Sequence, residues 1–328
     1  GKADIAPAAS NYFLVISLCL PFMLLFHLSC DMLKCTGNMQ LASAMSVLLC
    51  VLDVAFNYVF IYRLHLGVMG AALGTAVAYI CTSLPITWFA TCRDKILALK
   101  WDRAPFLWVW NYVMKAVKIS LPIAVQSILM SGAQIISTII VAPLGNVAIA
   151  AHSFAITAES LCYMPGYGIG DAATTLVGQT FGAGRSALCR SFARLTVGLG
   201  MSVMAAMGAI MYVFAPEMIA LLSPVADIQA LGASVLRIEA FAEPFFAASI
   251  VTYSICVGAG DTLRPAIMNL ASMWCVRLTL AAYLARDYGL RGVWMAMAVE
   301  LTFRGLLFLY RLFRGNWLKA LAEKAPAA

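Results

Sequence analysis

Charge is scarce in this sequence: only 11% of its 328 residues are Asp, Glu, Lys or Arg, and only three are His. A soluble globular domain carries about 25% charged residues, so a water-soluble enzyme is excluded. No P-loop, Gly-rich dinucleotide turn or Ser/His/Asp arrangement occurs, which removes an ATP-driven pump carrying its own nucleotide module and leaves no catalytic residues. The ten cysteines contain no C-x-x-C pair and sit in or beside apolar runs, and His27, His65 and His152 have no ligand spacing. No metal and no cofactor are expected.

Apolar length is what the chain has. Its residues are 63% hydrophobic, its mean hydropathy is +0.89, and clean runs fall at about 10–35, 38–62, 68–92, 115–142, 147–180, 186–214, 230–257, 263–286 and 291–314. Each exceeds the roughly 20 residues that cross a ~30 Å hydrocarbon core as a helix, and none alternates like a barrel strand. The composition therefore predicts an all-α integral membrane protein with nine spans. Alternating loops puts fifteen of the 22 Lys and Arg on one side, among them Arg93, Lys118, Arg185, Arg190, Arg264, Arg311 and Arg314. The positive-inside rule makes that side cytoplasmic, and it contains the C-terminus. The net charge of +7 thus belongs to loops that meet lipid headgroups, with no nucleic-acid partner.

Self-similarity sets the organisation. Pro21-Phe22 recurs as Pro244-Phe245 and Gly37-Asn38 as Gly260-Asp261 at an offset of 223, and Gly67 and Gly70 recur as Gly289 and Gly292 at 222. The first three helices pair with the last three in the same orientation, a parallel repeat. The middle three have no partners, so a two-lobed 6+6 design is expected of which about three N-terminal helices are missing. The predicted parts are a partial first lobe over 1–92, a cytoplasmic linker over 93–114 rich in basic residues and Trp, a second lobe over 115–316 and a tail over 317–328.

Ionisable groups within spans are costly and become functional candidates. Asp53 and Asn57, four apart on one helix face, and Thr75 on the next helix come out at comparable depth. Carboxylate, amide and hydroxyl oxygens suit a hard monovalent cation, and a desolvated carboxylate can carry a proton instead. The alternative is an Asp held by interhelical hydrogen bonds for packing alone. In the second lobe, Arg237, Glu239, Arg277 and Glu300 are expected at similar depth as a charge-balanced cluster, with Glu300 and Arg304 also spaced to pair. Glu243, beside Pro244, is the candidate for an unpaired acid. Glu159 and Asp171 flank Pro165 and Gly166, a combination that suits a bending gate or only a packing kink. Gly70, Gly74 and Ala78 mark a close helix contact.

Further residues carry a resemblance. Leu121-Pro122-Ile123, Ala142-Pro143-Leu144-Gly145, Ala150-Ala151-His152, Tyr163-Met164-Pro165-Gly166 and Leu176-Val177-Gly178-Gln179 with Gly182-Ala183 look like the seventh and eighth helices of the multidrug and toxic compound extrusion (MATE) family. Gly37-Asn38, Asp53, Asn57 and the run Gly67 to Ala72 resemble its fifth and sixth. The resemblance implies two six-helix lobes around a cleft, alternating access, and export of organic cations and other amphipathic small molecules against protons or sodium. In one branch of the family the fifth helix carries Asn followed by Asp, the reverse of Asp53 and Asn57. Another branch has a Glu on its seventh helix, whereas 115–142 has no acid. A multi-pass, monomeric plasma-membrane protein in contact with lipid is expected. A lipid or lipid-linked saccharide flippase and a non-transporting scaffold stay open as alternatives.

Overall fold

Lipid offers no partner for backbone N–H and C=O, so each apolar run must satisfy its own groups, and every run does so as a helix. The computed structural model describes residues 2–94, 96–98, 109–314 and 317. The elements are α1 (Lys2–Cys35), α2 (Met39–Tyr58, continued by a π turn Val59–Arg63), α3 (Gly67–Cys92), α4 (Trp110–Val141, ending in a short 3-10 turn), α5 (Asn146–Gly182) and α6 (Ser186–Ala220). They continue as α7 (Ala226–Glu239), α8 (Glu243–Gly258), α9 (Leu263–Ala271), a π turn Ser272–Arg277 and α10 (Leu278–Arg314). Most of the expected linker and tail lies outside the described residues, and Trp110 to Met114 already belong to α4.

Among the described residues seven helices are long and apolar enough to cross a membrane, or eight if the bent pair α7–α8 is one span, where the hydropathy pattern predicts nine. The difference arises at 263–314, one run of 52 residues without an intervening loop. Its only non-helical backbone within α10 is Gly289, at φ 58° and ψ −136°.

The chain divides into two compact units, Gly1–Leu107 and Trp108–Ala328. In the first, α3 packs against both α1 and α2. Small residues on α3 permit this, because without a hydrophobic driving force between helices in lipid, close van der Waals contact supplies the association. A Cβ on Gly70 would stand 2.9 Å from the backbone of Phe60, and one on Gly74 would overlap Asn57 Oδ1. On the other side Ser29 and Thr87 share a hydrogen bond of 2.9 Å, over a core of Phe26, Cys30, Leu33, Ala42, Ile86 and Ala90.

In the second unit α5, α6, α8 and α10 enclose the core, with Trp294, Phe308, Met204 and Met211 fully buried. The bent pair α7–α8 turns by 59° across residues 240–242. Pro244, in the first turn of α8, has no N–H to continue the ladder, so the break sits where Pro is tolerated. Gly208 on α6 lets the Ala240 carbonyl approach, since a Cβ there would be 2.8 Å from that oxygen.

The glycines that recur at an offset of 222 or 223 residues adopt matching backbones. Gly37 and Gly260 have φ of 91° and 81°, and Gly67 and Gly289 have φ of 54° and 58°, the left-handed region that favours Gly. The turns also share hydrogen bonds: Asn38 N–H donates to the Leu33 carbonyl at 3.0 Å and Asp261 N–H to the Cys256 carbonyl at 2.9 Å. The two segments differ at the proline, since α1 runs unbroken through Pro21 whereas Pro244 begins a new helix.

Candidate functional site

Two groups of ionisable side chains lie within the spans, one in each unit. In the first unit, Asp53 and Asn57 are half-buried on α2, and each has an Oδ1 shielded from solvent and without a hydrogen-bond partner. Asn57 is pressed onto α3 at Gly74, the residue before Thr75. The Asp53 carboxylate lies within Coulombic reach of the Tyr79 hydroxyl, and Tyr79 stacks tilted against His27 of α1 with ring centroids 6.1 Å apart. Thr75 is half-buried on the turn next to Gly74, and no hydrogen bond joins it to Asp53. Oxygen acceptors from α2 therefore face α3 without donors.

The second group is deeper and larger. Glu239 ends α7 and Glu243 begins α8, so the break places both at the middle of a helix pair whose halves are about 21 and 24 Å long at ~1.5 Å per residue. Glu239 is 0% exposed and Glu243 1%, and all four of their carboxylate oxygens lack a hydrogen-bond partner. Their surroundings differ. Glu243 sits in the first turn of α8, where the helix dipole favours negative charge, whereas Glu239 sits at the end of α7, where it does not.

α10 and the π turn supply the other side. Ser272 donates to Glu300 Oε1 at 2.6 Å, and Arg304 Nε lies 3.2 Å from the same oxygen as an ion pair without hydrogen-bond alignment. The Arg304 guanidinium also covers the Phe246 ring, 5.5 Å from its centroid. Arg277 closes the π turn and donates from Nη2 to the Met297 thioether, while its Nε has no partner. Glu300, Glu239 and Glu159 all act electrostatically on Arg277, and Glu159 is buried on α5.

Arg237, expected in this cluster, is exposed on the outer face of α7. It donates from Nε to the Tyr212 carbonyl at 3.2 Å and lies over the Tyr212 ring. The reason is helical geometry: two residues from Glu239 it points roughly to the opposite side. Glu159, expected beside a hinge, instead joins the cluster. Four buried acids, Glu159, Glu239, Glu243 and Glu300, thus face two buried guanidinium groups, Arg277 and Arg304, and the balance of sign expected from the sequence gives way to an excess of acid.

The proposed gate elements separate. α5 is continuous through Pro165, Gly166 is packed so closely that a Cβ there would overlap Met204 Sδ, and Asp171 is on the exposed face. His152, expected only as a hydrogen-bonding or surface residue, is buried and accepts at Nδ1 from Trp294, and no role was expected of Ser272. No sequence pattern marks the π turn that delivers Ser272 and Arg277. Among the described residues no His, Cys, Asp and Glu grouping could hold a metal ion.

With this geometry in view, the comparisons agree. The MatE family profile matches residues 1–59 and 122–283, two blocks that fall in the first and second units. The chain is 26% identical over 327 residues to the probable multidrug resistance protein NorM of Thermotoga maritima, covering 97% of this chain and 69% of that protein. It is 25% identical over 331 residues to the protein of the same name from Pseudomonas syringae, covering 98% of this chain and 72% of the relative. The crystal structure of a MATE protein in the straight conformation superposes with a TM-score of 0.87 at 20% identity, over 96% of this chain and 70% of that one. This last likeness shows a common fold.

Proposed function

The chain belongs to the multidrug and toxic compound extrusion family, a family of multi-pass membrane transporters and not enzymes, and from that premise we propose that it is a secondary antiporter. In this reading it exports organic cations and amphipathic drugs in exchange for protons or sodium, by alternating access. The observation that carries the proposal is the set of shielded carboxylate oxygens without partners inside the helices, at Asp53, Glu239 and Glu243. A bare carboxylate in a low-dielectric interior is costly, so each such group binds a proton or a cation whenever one can reach it. A site that is filled in one form of the carrier and emptied in the other is what couples an ion to a conformational cycle.

The same reading takes the chain as nine crossings. The run 263–314 would be about 78 Å long as a continuous helix at ~1.5 Å per residue, and a reversal at Gly289 divides it into two spans. The matched glycine turns support a parallel repeat of a 6+6 architecture, and the basic loops support a cytoplasmic C-terminus at the plasma membrane. Asp53, Asn57 and Thr75 form the cation or proton site of the first lobe, and the acid cluster forms a second. An excess of buried acid favours cationic cargo over the phosphates of a lipid-linked saccharide.

The test is efflux of a cationic dye from everted vesicles carrying the chain, driven in turn by a proton and a sodium gradient. Wild-type efflux follows one of the gradients, and Asp53→Asn and Glu239→Gln each lower it at least about tenfold, the scale of one lost charge-assisted interaction. Gradient-independent wild-type behaviour overturns the antiporter reading. Unaltered gradient-driven efflux in both variants overturns the site assignment alone.

A further inference from the structure

Arg277 is bonded to an acceptor weaker than those around it. Its side chain is 7% exposed, and Nη2 donates to Met297 Sδ, a thioether and a weak acceptor, with Nε unpartnered. A carboxylate offers a guanidinium two charged oxygens and bidentate geometry, which a single weakly accepting thioether lacks. Of the acids acting on it, Glu300 already holds Ser272 and Arg304. Glu239, with both oxygens unpartnered at the end of α7, is free to receive it.

The neighbouring elements contribute unequally to this environment, and α5 brings the Cys162 thiol beside Glu239 and Glu243. α5 supplies Glu159 and His152, α7 Glu239, α8 Glu243 next to Glu239, and α10 Glu300 and Arg304. α4 has no charged or titratable residue after Lys118, and α9 supplies only the exposed Arg264. His152 accepts a hydrogen bond at Nδ1 and so contributes no charge in this arrangement. The π turn, which holds one residue more per turn than an α-helix and recurs at functional sites, brings Arg277 into the cluster.

We propose that Arg277 is a tethered counter-ion, which occupies the Glu239 carboxylate when no proton or transported cation is there and rests on Met297 when one is. This rests on the antiporter reading and adds to it a positioning residue. By exchanging one positive charge for another, Arg277 keeps the Glu239 carboxylate compensated as the site loads and unloads. It thereby sets the pH at which Glu239 yields its proton.

The test uses the full chain in liposomes with two readouts, the infrared carbonyl stretch of protonated carboxyl groups against pH and dye efflux against pH. Glu239→Gln identifies the Glu239 contribution to the band. Met297→Leu keeps every charge and nearly the volume but removes the sulfur, so Arg277 stays longer on Glu239, and both midpoints move to lower pH. Arg277→Gln removes the competitor and moves both midpoints up by about one pH unit, a tenfold change in proton affinity. Arg277→Lys, which keeps the charge, brings them back toward wild type.

An infrared midpoint unmoved in Met297→Leu overturns the proposal, whether or not Arg277→Gln reaches the membrane. Because the infrared readout needs no transport, a shifted band without gradient-driven efflux supports the counter-ion and overturns the antiporter reading. A normal wild-type efflux with unshifted bands does the reverse.

Discussion

Trp294 donates its indole N–H to Nδ1 of His152 at 3.1 Å, tying α10 to α5 across 142 positions of sequence. Both side chains are buried, at 0% and 3% exposure, so neither group has water as a substitute partner. Trp294→Phe leaves the imidazole acceptor unsatisfied and is expected to cost about 1–3 kcal/mol, with some further loss from the smaller ring. Thermal unfolding of the detergent-solubilised protein, read by tryptophan fluorescence and by the monodisperse fraction after heating, checks this. An unchanged midpoint shows that the bond carries no net stability.

Opposite faces of α7 separate two charges that lie two residues apart. Arg237 is exposed and bonded to the Tyr212 carbonyl, whereas Glu239 is enclosed. Arg237→Gln is therefore expected to leave gradient-driven dye efflux within about twofold of wild type, as exposed charges contribute little. A tenfold loss in Arg237→Gln returns Arg237 to the transport machinery.

The helical class and the matching glycine turns were legible because each rests on a one-dimensional signal. Length and apolarity must meet the bilayer, and a glycine in a left-handed turn has few substitutes, so Gly37 and Gly260 could be paired by eye. Glu300 and Arg304 were legible as a pair because four residues bring them to one face. What joins Glu159 to Glu239 has no such signal: it depends on how α5 packs beside α7, which long-range packing decides. The misplaced Arg237 was a different error, since comparing depth along a helix without the angle around it discards half of the geometry. At 263–314 the hydropathy pattern divides the run in two, whereas the structure has one helical run whose backbone leaves the helix only at Gly289.

Close helix contact predicts which glycines tolerate a methyl group. A Cβ on Gly305 would overlap the Phe245 carbonyl oxygen just after the α7–α8 break, while Gly198 has nothing within 4 Å. Gly305→Ala must push α10 from α8 and is expected to destabilise by about 1–3 kcal/mol. Gly198→Ala gains helix propensity and is expected to be neutral or stabilising by up to ~1 kcal/mol. Heating both variants beside wild type in the same detergent tests the pair, and equal midpoints for the two would show that the α8–α10 contact gives way without cost.

Past the last turn of α8, Asp261 pairs with Arg311 of α10, side chains 22% and 13% exposed. The similar turn at Gly37 in the first unit is followed by Asn38, so of the two turns only the one at Gly260 carries a charge. Just past α10, Trp317 is buried at 3% and donates to the Leu312 carbonyl at 3.1 Å, a local bond to a carbonyl of the helix's own last turn. Asp261→Asn or Arg311→Gln alone strands a partly buried partner and is expected to lower stability by about 1–3 kcal/mol. The double variant is expected to lose less than the sum, with a coupling of about 0.5–2 kcal/mol for groups in direct contact. Four unfolding curves close the cycle. Additive losses would mean that the two charges act independently.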